Sequence, residues 1–153
     1  LYQILFLGKN NIECSPNSLN KTGFVKSEIV GGNLSILYSL LGSKSDIKTD
    51  NKILFIEDLD EYLYHVDRMI ISLKRAGKFN NIKAMIVGSM TKMHDNKIKF
   101  GMNAKEIIKY HTKEFNFPVC FNFPAGHQKN NRPVILGKVS KLDINSNLVC
   151  LSQ

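Results

Sequence analysis

Glu57 and His127 are the two residues of this 153-residue chain whose types and settings could do acid–base chemistry. Glu57 follows the apolar run 53–56, and His127 closes the segment Phe123-Pro124-Ala125-Gly126. An imidazole backed by a carboxylate is the base-and-orienter pair of nucleophilic hydrolases: the ring takes a proton from a hydroxyl, and the carboxylate fixes its tautomer and stabilises the imidazolium. Both residues also have ordinary readings. A glutamate between a strand and a helix favours the helix N-terminus electrostatically, and a histidine in a Pro/Gly turn can simply face solvent. None of Ser35, Ser43, Ser45 and Ser89, in a helical pattern, a loop and after a buried strand, sits in a Gly-x-Ser-x-Gly elbow. His65, His94 and His111 lack zinc-ligand spacing, and His111 reads as a satisfied core histidine on an apolar stripe, so neither metal nor cofactor is expected.

Positioning a carboxylate and an imidazole side by side falls to alternating strands and helices. Residues 53–56 and 82–87 are short continuous apolar runs of the kind found in doubly covered parallel strands, and 118–123 is a third. Between them, Leu63, Val66, Ile70 and Leu73 form one helical stripe within 60–76, stopped by Gly77. Ala104, Ile107, Ile108, His111 and Phe115 form another. This β-α-β-α-β order implies a parallel sheet in an α/β fold. In such sheets, ligands bind outside the carboxyl ends of the strands, which is where Glu57-Asp58, Gly88-Ser89 and the segment ending at His127 fall. Two further strands are expected over 1–7 and 24–30 with a polar loop between them, and Asn33 caps a short helix through Leu41, stopped by Gly42. The tail, 136–144 and 148–151, reads as a hairpin around Asn145-Ser146-Asn147, so a β-rich layer is attached to the α/β unit. Residues 89–102 form the longest connection without periodicity, a lid or a site wall.

With 43% hydrophobic residues, the chain is long enough for one core and is read as one domain over 1–153. No run approaches the length of a membrane helix and no signal peptide opens the chain, so a soluble protein without membrane contact is expected. Leu1, in place of Met, at the start of a strand-like run points to a chain cut from a longer parent. The formal charge of +8 permits nucleic acid as a partner, but the lysines are dispersed among acids and arginine is scarce, so a solvated basic surface is expected. Three cysteines without paired spacing fit a reducing, cytoplasmic setting, and no role is assigned to them.

Val30-Gly31-Gly32-Asn33-Leu34-Ser35, Ile53-Leu54-Phe55-Ile56-Glu57-Asp58, Asp67-Arg68-Met69 followed by Leu73-Lys74-Arg75-Ala76-Gly77, Ile86-Val87-Gly88 and Phe123-Pro124-Ala125-Gly126-His127 occur in the order found in LD-carboxypeptidases. Over residues 22–152 the chain resembles the C-terminal domain of that bacterial family of serine peptidases, which trim murein peptides and include the microcin C immunity peptidases. The resemblance implies a swivelling β/β/α domain. It also implies that Glu57 is the carboxylate and His127 the base of a Ser-His-Glu triad whose serine and oxyanion hole belong to an N-terminal domain with no counterpart here. The isolated chain is then expected to be inert. Glu61 matches a position that is acidic in typical LD-carboxypeptidases and basic in immunity-type members, which marks it as a substrate-binding residue for the ammonium of a diamino acid. A solvated helix charge is its plainer reading. Arg68 is expected to be a structural ion-pair partner. The resemblance further implies a murein peptide substrate, the N-terminal domain of the same parent as partner, a homodimer, and cytoplasmic work in murein recycling. The alternatives are an immunity-type peptidase domain or a non-catalytic module that binds murein peptides.

Overall fold

Strand β3 (Ile53–Leu59) is apolar on both faces because both faces are covered. Successive side chains of a strand point to opposite sides. Leu54 and Ile56 pack among helix residues such as Val66, Ile70 and Ile107, whereas Ile53 and Phe55 pack among Ile12, Leu142, Ile144 and Leu151 of other strands. Three layers result: helices, a parallel sheet, and a β layer folded over the sheet's far side.

The computed structural model describes residue 6 and residues 8–153; of the strand expected over 1–7, all but residue 6 lies outside that description. The described elements run β1 (Asn11–Cys14), β2 (Gly23–Asn33), α1 (Leu34–Ser39), β3, α2 (Leu63–Arg75), β4 (Ala84–Thr91), α3 (Ala104–Thr112), β5 (Val119–Cys120), β6 (Val139–Ile144) and β7 (Val149–Ser152). They join in the order β1-β7-β6-β2-β3-β4-β5. From β2 to β5 neighbours are parallel, and from β1 to β2 they are antiparallel. Strand β2 belongs to both parts. Gly23 to Glu28 pair with β6, and Ile29 to Asn33 pair with β3. The β layer read from the sequence is therefore carried by a strand that changes partner part-way along.

Several elements differ from the sequence reading: β2 runs past residue 30 to Asn33 and β3 past residue 56 to Leu59, with Asn33 paired to Glu57, while α1 ends at Ser39 rather than Leu41 and β6 starts at Val139 rather than residue 136. Strand β1 lies in the stretch read as polar loop, where pairing with β7 supplies the hydrogen bonds that four residues cannot supply alone. Helix α2 starts at Leu63 rather than near residue 60, because Asp60 has φ +65° and Tyr62 is extended. Strand β4 runs on to Thr91, taking three residues from the stretch read as a loop, and Met90 and Thr91 pair with Asp58 and Leu59. Strand β5 keeps only two residues, since Asn122 has φ +58° and turns the chain. The expected Asn33 cap is present, accepting from the Ile36 N–H at 3.2 Å, and Asn145 closes the β6–β7 turn by accepting from the N–H groups of Asn147 and Leu148. His111 is buried on α3 with Nε2 2.6 Å from Asp67 of α2. Arg68 is a correction: among the described residues it makes no ion pair, and its guanidinium lies 5.5 Å from the centre of the Tyr64 ring, a cation–π contact.

Candidate active site

Glu57 and Asp58 lie near the end of β3 and point to opposite layers. Asp58, on the helix side, accepts hydrogen bonds from Asn33 Nδ2 (2.8 Å), Ser35 N–H (3.0 Å) and Leu59 N–H (2.8 Å). Burial pushes its pKa above the ordinary carboxylate range, against the pull of those donors. Its position ties the start of α1 to the end of β3.

Glu57 projects to the other side. Pairing between β3 and β4 is interrupted there: Ile56 faces Val87 and Asp58 faces Met90, so Gly88 and Ser89 together oppose Glu57. This β-bulge, a feature common beside active sites, lets the chain after β5 dock on β4. Phe123 N–H donates to Val87 O (3.0 Å) and Ser89 N–H to Ala125 O (2.9 Å). Gly88 must lack a side chain, since a Cβ would lie 2.5 Å from Ala125 O and 3.1 Å from Glu57 Cβ.

The docked chain then turns at Gly126, φ +109°, and delivers His127 to Glu57. The His127 ring donates from Nδ1 to Glu57 Oε2 at 2.7 Å, and its backbone N–H reaches the same oxygen at 3.2 Å. Thr91 Oγ1 donates to His127 O (2.8 Å), and Asn131 Oδ1 accepts from Gly126 N–H (3.0 Å). The Glu57 side chain is 8% exposed and that of His127 is 52% exposed. A carboxylate that only accepts fixes the Nδ1–H tautomer, which leaves Nε2 as the basic atom of the ring. The arrangement can remove a proton from a hydroxyl brought to the open side of the imidazole.

Glu61 is not part of this pair. It sits in the turn before α2, where Oε2 takes a hydrogen bond from His65 Nδ1 at 2.7 Å. The segment after β4 is strapped to the same turn: His94 N–H donates to Glu61 O (2.8 Å), Leu63 N–H to His94 O (2.9 Å), and His94 Nε2 lies 2.6 Å from Asp60. Sequence reasoning missed His65, although its spacing of four residues from Glu61 on a helix start was a visible signal. Gly88, Thr91 and Gly126 were also missed as site residues, and nothing local marks them, because their places depend on the bulge.

Replacing Gly126 by alanine tests this construction. The new Cβ would lie 2.5 Å from Ser89 Oγ, 2.7 Å from Glu57 Oε2 and 2.9 Å from Glu57 Cβ, on a backbone that side chains rarely adopt. A destabilisation of about 1–3 kcal/mol is expected from the backbone alone, read by urea unfolding. The His127 ring N–H should lose its protection from exchange by NMR, and an unperturbed ring would contradict the placement.

The pattern of the LD-carboxypeptidase C-terminal domain matches residues 26–142. The chain belongs to this family. Among LD-carboxypeptidase relatives, a probable murein peptide carboxypeptidase of Bacillus subtilis is 33% identical over 125 residues, 82% of this chain and 39% of that protein. A putative carboxypeptidase of Rickettsia conorii is 32% identical over 118 residues, 77% of this chain and 35% of that protein. The chain thus spans well under half the length of these relatives. The muramoyltetrapeptide carboxypeptidase of Oxalobacter formigenes superposes with a TM-score of 0.88 at 22% identity, over 98% of this chain and 51% of that one. The microcin C7 self immunity protein MccF gives 0.76 at 23% identity, over 94% and 41%. At these identities both likenesses establish the fold, a mixed seven-stranded α/β sheet with parallel segments.

Proposed function

We propose that this chain supplies the base and the orienting acid of a serine-type LD-carboxypeptidase that hydrolyses the amide before a terminal D-amino acid of murein peptides in the cytoplasm. The observation that carries the reading is the 2.7 Å pairing of a buried Glu57 with a half-exposed His127 whose Nε2 takes no hydrogen bond among the described residues. In the proposed cycle, Nε2 takes the proton of a serine hydroxyl from the N-terminal part of the parent protein as the serine oxygen attacks the amide carbon. The imidazolium, steadied by Glu57, passes that proton to the departing amine, and water repeats the sequence to free the acyl-serine. The relatives' names, murein peptide and muramoyltetrapeptide carboxypeptidase, support the substrate class.

Incubation of murein tetrapeptide with this chain, with the N-terminal domain of its parent, and with both together tests the reading. Release of the terminal D-amino acid is expected only from the mixture or the intact parent. Release by this chain alone, or none from the intact parent, overturns it.

Glu61 carries the substrate preference in this reading, facing the ammonium of the diamino acid with the oxygen that His65 leaves free. Glu61→Lys in the parent should lower kcat/KM for the murein peptide by about tenfold to a hundredfold through like-charge opposition. An unchanged value would assign Glu61 to the helix surface alone. A gain on acidic aminoacyl substrates would move the chain toward immunity-type activity.

A further inference from the structure

Among the described residues, Ser89 Oγ is a buried hydroxyl without a hydrogen-bond partner, in a residue 7% exposed. A buried polar group left unmatched is costly, so native structures rarely keep one without a reason. Its surroundings supply the reason. The bulge in β4 sets Ser89, together with Gly88, opposite Glu57, and the Ser89 backbone N–H donates to Ala125 O. The point a Gly126 side chain would fill lies 2.5 Å from Ser89 Oγ and 2.7 Å from Glu57 Oε2. One absent methyl group thus leaves room for two oxygens, one a hydroxyl donor and the other a carboxylate acceptor.

We infer that Ser89 is a positioning residue, its hydroxyl donating to the Glu57 carboxylate and holding that group against Nδ1 of His127. A carboxylate has about four lone-pair sites and no donor of its own. The two hydrogen bonds it accepts among the described residues both come from His127 and both fall on Oε2, so they hold it on one side only. A donor from β4 would hold it from another element and restrict its rotation as the ring cycles between neutral and charged forms. The role in catalysis rests on the function proposed above, but the contact itself does not.

Histidine 15N labelling of this chain reads the ring without any assay of activity, with the His127 signal assigned by its absence from His127→Gln. The expected result is a wild-type ring held as the Nδ1–H tautomer. In Ser89→Ala and in the near-isosteric Ser89→Cys, the ratio of Nδ1–H to Nε2–H forms should fall by about threefold to tenfold, the worth of one net hydrogen bond in an equilibrium. An unchanged ratio in either variant, in a chain that melts as the wild type does, overturns the assignment. The cysteine variant keeps the test available if alanine at this packed position prevents folding. A parent enzyme that stays active without His127 would remove the proposed function and leave the ring's response to Ser89 standing.

Discussion

Replacing His127 by alanine in the full-length parent enzyme should lower kcat by about 10⁶, and replacing Glu57 by glutamine should lower it by about 10⁴, the scales set by serine hydrolases that lose a base or its orienter. KM should change little, because neither group is asked to bind the ground-state peptide. The two losses differ for a physical reason. Without the imidazole no group accepts the serine proton, whereas glutamine keeps the ring in place but presents an amide N–H that can favour the wrong tautomer. The groups act as a unit, so the double variant should be no slower than His127→Ala alone. Steady-state release of the terminal D-amino acid measures all three. Full activity in His127→Ala would end the proposal, and a double variant slower than either by the product of both losses would show that the two act independently.

Much of this arrangement is legible before any fold is seen. Continuous apolar runs announce β3 and the first part of β4 because those strands are covered on both faces, by helices and by the β layer. Apolar stripes announce α2 and α3, and three polar turn residues announce the β6–β7 hairpin. Glu57 and His127 stand out because each ends a strand-like segment with a group that can titrate. What stays hidden depends on pairing. Strand β1 has one deeply buried residue, Ile12, too little for an alternation signal. The end of β4 reads as loop because Gly88 and Ser89 break the apolar run, yet that break is the bulge that admits the His127 segment. Ser89, outside any Gly-x-Ser-x-Gly elbow, is passed over as a nucleophile, and a search for nucleophiles does not notice a donor to the acid. Arg68 offered a charge where its planar face over Tyr64 was what mattered.

Gly31→Ala should destabilise the chain by about 4 kcal/mol or more, enough to leave many domains unfolded near body temperature. Gly31 pairs with Phe55 where β2 has left β6 and joined β3. It has φ +141°, and a Cβ there would fall onto the Phe55 carbonyl oxygen, 2.7 Å from its carbon and 2.8 Å from the Phe55 nitrogen. These are backbone atoms of a central strand, paired on its other side to Ile86 of β4, so they cannot swing aside as a side-chain tip would. The neighbouring glycine is the control. Gly32 has φ +152° with nothing within 4 Å of its would-be Cβ, so Gly32→Ala should cost only the backbone strain, about 1–3 kcal/mol. Urea unfolding of the two variants separates collision from strain; equal losses would mean that β2 and β3 do not approach as closely as this register requires. The site depends on the same approach, because Glu57 lies two residues beyond Phe55 on the same face of β3. Any Gly31→Ala molecules that relieve the collision by moving β3 should therefore hold Glu57 away from His127, losing the hydrogen bond even where the fold survives.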